Sequence, residues 1–97
     1  MSGTTATPVI QRDDEVVRIT EWRFRPGEST GWHEHAYPYI VVPITDGRLR
    51  IGHGEGESTA TLAAGASYSR PAGVAHEVIN DSDHPVAFVE IELKDVR

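Results

Sequence analysis

The sequence predicts an all-β chain folded as a double-sheet jelly roll or barrel. Turn residues recur at short intervals, and the runs between them are rich in Val, Ile, Thr and aromatics. No segment has both the length and the period of an amphipathic helix. The turn signals are Asp13-Asp14, Pro26-Gly27, Asp46-Gly47, Gly52 to Gly56, Ala64-Gly65, Pro71 to Gly73 and Asn80 to Pro85. Roughly eight short strands at this spacing suit two packed sheets whose edges largely close on each other.

Along the chain, residues 1–8 read as a flexible, Ser/Thr-rich N-terminal tail, and residues 9–97 as one β-barrel domain. Val17, Ile19 and Glu21 alternate with Thr20, Trp22 and Phe24, as a strand with two different faces requires. Tyr39–Ile44 and Val86–Leu93 are denser and suit strands buried on both faces. Ser58–Ala64 is the single helix candidate. It is too short to stand alone, and its Thr59 and Thr61 suit a strand equally well.

Composition excludes several classes of function. The chain has 97 residues, 38% of them hydrophobic and 25% charged, as in a folded soluble domain. Nine basic residues against fifteen acidic give a net charge of −6, and the basic ones are scattered singly. A phosphate backbone needs concentrated positive charge, so nucleic acid is not expected as a partner. No apolar stretch approaches the roughly 20 residues of a membrane span, so no membrane partner is expected either. There is no cysteine, hence no disulfide and no thiolate ligand, and a cytoplasmic location is expected.

The informative residues are histidines. His33 and His35 are two apart before a β-rich run, so on a strand both imidazoles point to one face and can grip one ion. Taken alone, an H-x-H pair is equally a solvated surface feature. His76 changes that balance. It stands in a stretch with Gly65, Pro71, Gly73 and Asn80 at the spacing G-x5-P-x-G-x2-H-x3-N, while Gly27, His33, His35 and Gly47 fit G-x5-H-x-H followed by a later glycine. On these nine positions the chain resembles the cupin superfamily, in particular its small single-domain members. The resemblance implies a double-stranded β-helix, or jelly-roll barrel, and a divalent transition metal held by His33, His35 and His76.

One position departs from the family pattern. The first motif ordinarily carries a metal-binding glutamate, and here that place falls on Tyr39 or Ile40. Glu34, between the two histidines, is aimed the other way by strand alternation. The reading is therefore a three-histidine site whose ion carries charge uncompensated by protein, a centre that attracts a small anion. Cupin-like dioxygenases with three-histidine iron sites make such a centre plausible. Imidazole ligation suits Fe, Ni, Cu or Zn, and spacing does not choose among them. Metal binding needs neutral imidazoles, so affinity is expected to fall below pH ~6.5.

Other residues carry less. Tyr39 and Arg70 are candidates for substrate binding, Arg70 through paired hydrogen bonds to a carboxylate. Tyr68 and Arg23 are weaker candidates for a pocket mouth. His53 and His84 fall in turns, Glu77 should point away from His76, and Gly52, Gly54 and Gly56 lack the helix that a phosphate loop needs. The expected function is a small metal-dependent enzyme of dioxygenase or isomerase/lyase type acting on a small anionic organic molecule. The alternatives are a non-catalytic binding module and a cupin whose metal is structural. Trp22, Phe24 and Trp32 exceed what one small core easily covers, and with the family's habit of pairing they suggest a homodimer.

Overall fold

The structure is a computed structural model and describes residues 5–95. Nine strands follow one another in this region: β1 (Thr7–Asp13), β2 (Val17–Phe24), β3 (His33–Glu34), β4 (Tyr39–Pro43), β5 (Gly47–Gly52), β6 (Glu57–Leu62), β7 (Tyr68–Arg70), β8 (Ala75–Asn80) and β9 (Val86–Leu93). They form a five-stranded sheet in the order β1-β2-β9-β4-β7 and a four-stranded sheet in the order β3-β8-β5-β6. All pairings between these strands are antiparallel. The fold is all-β, as expected, and no described helix is long and apolar enough to cross a membrane.

Two expectations need correction, and a choice left open at Ser58–Ala64 is decided for strand. Residues 1–4 of the expected tail lie outside the described residues, but residues 5–8 belong to the fold. Thr5 bridges to Ser29, Ala6 is buried and donates its backbone N–H to Ser29 O, and β1 begins at Thr7. Ser58–Ala64 contributes to a strand, because pairing with β5 satisfies its backbone polar groups where a single helical turn could not. Finally, β4 and β9 are not equally buried on both faces. Tyr39, Val41 and Pro43 are buried while Ile40 and Val42 are half-buried, and Val86, Phe88 and Glu90 alternate in the same way.

The inward residues of the two sheets make the core. Phe24, Tyr39, Val41, Leu49, Leu62, Val78, Val86 and Phe88 are all buried, and Phe24 packs against Phe88 with ring centroids 5.4 Å apart. A Cβ on Gly47 would come within 2.5 Å of Val86 Cγ2, so the glycine permits a close approach that no other residue allows. Trp22 and Phe24 are taken up by the protein's own core, which removes two of the three aromatics from the argument for pairing. Only Trp32 stays outside, 59% exposed.

Candidate metal centre

β3 and β8 lie side by side, and their register sets His33 directly opposite His76. His35, just past β3, is held by its backbone: its N–H donates to Val74 O at 2.8 Å, and Gly73 N–H donates to His35 O at 2.8 Å. Gly73 has φ of 93°, a left-handed conformation that glycine adopts without a Cβ penalty. The Pro71–Gly73 turn thus both starts β8 and clamps His35.

These contacts bring three imidazoles together. Nε2 of His35 lies 3.1 Å from Nε2 of His33 and 3.3 Å from Nε2 of His76. Two donors on one ion at ~2.1 Å are separated by about 3.0–3.4 Å in octahedral or tetrahedral geometry, so this spacing fits a first-row ion. His33 Nδ1 is 3.0 Å from Gly31 O; donating there leaves the Nε2 lone pair free for a cation. Lone pairs pointed at one another repel unless a cation or protons lie between them. Three histidines could therefore hold one metal ion here.

Burial controls their protonation. Desolvation, then the neighbouring His33, pushes the His35 imidazole down to about 4. Desolvation, then His33 and His35, does the same for His76, also to about 4. Proton competition at these two ligands therefore sets in well below the pH of ~6.5 expected for free histidine.

Tyr39 takes the place the first motif gives to glutamate. It is buried, and its ring stacks on His35 with centroids 3.8 Å apart and planes at 21°, while Ile40 faces the other way. Burial raises the Tyr39 phenol to about 12, so it offers a neutral hydroxyl.

The sequence reading missed Glu90. Its carboxylate is only 8% exposed, and Oε2 lies 3.8 Å from His35 Nε2. This contact is too long for a hydrogen bond and, with His35 neutral, is not an ion pair at neutral pH. Burial, then the charge of Glu92, raises the Glu90 carboxyl to about 7, partly opposed by a hydrogen bond from the Trp22 side chain. The converging donors are the three expected histidines, and Glu90 stands beside them. The usable signal was the alternation Val86, Phe88, Glu90, which puts an acid on an inward, otherwise apolar line.

Beside the histidines is a cavity of about 530 Å³, lined by His76, Tyr39, Glu90, Tyr68, Arg70 and apolar side chains including Phe88 and Val41. Arg70 lies 4.6 Å over the Tyr68 ring and reaches this cavity from an exposed position. His53 also reaches it, with Nε2 2.8 Å from Ser58 Oγ, but is not among the converging nitrogens. His84 is engaged elsewhere, with Asp83 and Asp46 O. Arg23 is on the outer surface, paired with Glu21. Glu77 accepts a hydrogen bond from Ser29 Oγ at 2.5 Å, away from the imidazoles.

These shifts predict how the metal-free protein responds to acid. His35 and His76 bind protons in the unfolded chain from pH ~6.5 but in the folded chain only near 4, so their contribution is present above 6.5 and is lost as pH falls. Glu90 acts oppositely, since its folded carboxyl, raised to about 7, keeps a proton that the unfolded chain releases above ~4.5. Two histidines against one carboxyl leave a net uptake of about one proton on unfolding near pH 5.5. Urea melts in chelator should show stability falling between pH 6.5 and 4.5 by about 1–3 kcal/mol. A profile flat or rising toward acid would contradict the assigned burial of the two imidazoles.

Two facing antiparallel sheets with three histidines converging beside the cavity between them define a cupin-type barrel. The chain belongs to the cupin family, whose cupin domain matches residues 20–92. It is similar to the β-alanine degradation protein BauB of Pseudomonas aeruginosa, 53% identical over 95 residues, covering 97% of this chain and all of that protein. Among solved structures it is similar to a cupin domain protein of Bordetella pertussis, with 52% identity, a TM-score of 0.94 and coverage of 98% of this chain and 99% of that one. An RmlC-like cupin of Methanocaldococcus jannaschii shares the double-stranded β-helix at 15% identity and a TM-score of 0.77, covering 94% of this chain and 82% of that one.

Proposed function

We propose that this cupin binds one divalent transition metal ion (Fe, Ni, Zn or Cu) on His33, His35 and His76 and acts on a small organic anion in the adjoining cavity. The convergence of the three Nε2 atoms beside that cavity carries this reading. A bound ion would act as a Lewis acid, polarising a carbonyl or stabilising an enolate. Arg70 receives the carboxylate at the mouth, Tyr39 offers a neutral hydroxyl, and the apolar wall of Val41 and Phe88 limits water. Both a dioxygenase and an isomerase/lyase reaction suit this arrangement. The relative's name supports a role in the degradation of β-alanine, itself a three-carbon carboxylate of a size the cavity accepts. A homodimer resting partly on exposed Trp32 belongs to the same proposal.

Titration of metal-loaded protein with β-alanine and with malonate tests the reading. At least one should bind, and Arg70→Ala should weaken that binding about tenfold, the value of one charge-assisted contact, while leaving metal affinity unchanged. Carboxylates that bind neither the metal-loaded nor the metal-free protein would remove the anion from the proposal.

A further inference from the structure

Among the described residues Glu90 is the buried acidic side chain, it lies beside His35, and nothing in the proposed function uses it. It projects from the last strand: β9 pairs with β4 so that Glu90 stands opposite Val41, one inward step from Tyr39. Tyr39 fills the motif's glutamate place with a ring, and the neighbouring strand brings a carboxylate to the same side of His35. Among the described residues no arginine or lysine forms an ion pair with Glu90; its neighbours include the Trp22 side chain, the Tyr39 and Tyr68 phenols and the neutral His35. A buried carboxylate without a cation is costly, and a divalent ion bound to the neighbouring histidines would offset that cost in place of a proton.

Distances place Glu90 beside the site: Oε2 is 3.8 Å from His35 Nε2, while the donors that all lie within 4.8 Å of one another are those of His33, His35 and His76. The carboxylate would thus stand within about 6 Å of an ion bound to His35, close enough to offset its charge.

We infer that Glu90 supplies, from the last strand, a negative charge beside the three-histidine site in place of the carboxylate that the first motif lacks, and that it strengthens cation binding there. This rests on the proposed metal centre and changes its character. The ligands remain three histidines, with a carboxylate standing beside them from an unusual place in the chain, and one unit of the ion's charge is offset by protein.

The test is calorimetric titration of the metal-free full chain with Ni(II) alone at neutral pH. Glu90→Gln, nearly isosteric, should weaken Ni(II) by tenfold or more and shrink the rise in Tm that the ion causes. Glu34→Gln, which removes an exposed charge between two of the ligands, should change affinity less than twofold. The Co(II) absorption spectrum should also change for Glu90→Gln and not for Glu34→Gln. Should Glu90→Gln not fold, Glu90→Asp takes its place, with a smaller loss of affinity and the same direction. His76→Ala is measured alongside. If it binds Ni(II) like the parent, the three-histidine reading fails. If it loses Ni(II) while the Glu90 variant binds like the parent, the role of Glu90 alone is overturned.

Discussion

Alanine in place of His76 lowers the affinity for Ni(II) or Zn(II) by about a hundredfold or more. The reasoning begins with the three converging Nε2 atoms, 3.1 and 3.3 Å apart around His35. Removing one leaves two protein nitrogens, and no other described histidine lies near enough to substitute. Losing a supporting partner of a metal ligand already costs roughly 10–100-fold, so losing a ligand costs at least the upper end of that range. His76 borders an existing cavity, so the variant creates little new void and should melt near the parent when metal is absent. Calorimetry and melting with and without metal check both halves. Parent-like affinity in His76→Ala would mean that metal, if bound, sits elsewhere.

Asn80→Ala destabilises the fold by about 3 kcal/mol, close to 15 °C in Tm for a chain of this length. Asn80 is fully buried at the end of β8, four residues beyond His76 on the same inward line. Its Nδ2 donates to His84 O at 2.9 Å and to Phe24 O at 3.4 Å, and its Oδ1 accepts from Ser82 N–H at 2.9 Å. Alanine would leave these loop groups without partners in a place where water cannot readily replace the amide. The same residue's backbone joins Gly27 N–H and Glu28 O, so the chain leading to His33 hangs on this corner. Asn80→Asp should cost less, because it keeps the acceptor for Ser82. Thermal and urea melts of the three proteins check the order, and equal stability of Asn80→Ala and the parent would refute it.

The second motif is thus a structural sentence as much as a chemical one. Gly73 turns the chain, His76 enters the site, and Asn80 fastens two loops, each at an inward or turn position that the spacing alone makes legible. The first motif is read less completely. Counting placed the missing glutamate at Tyr39 or Ile40, and only the pairing of β4 with β9 shows that Tyr39 faces inward and stacks on His35.

By itself the sequence determined the all-β class, the turn positions, the inward alternation of β2 and the three histidines. These depend on local chemistry: glycine and proline at turns, and a period of two along a strand. The tertiary structure decided what depends on one strand's relation to another. Register put His33 opposite His76, burial kept His35 and His76 neutral, and sheet order carried Glu90 on the last strand to within 3.8 Å of His35. The sequence separation between Glu90 and His35 carries no trace of that contact. It exists because β9 pairs with β4 so that Glu90 stands opposite Val41, one inward step from the Tyr39 ring stacked on His35.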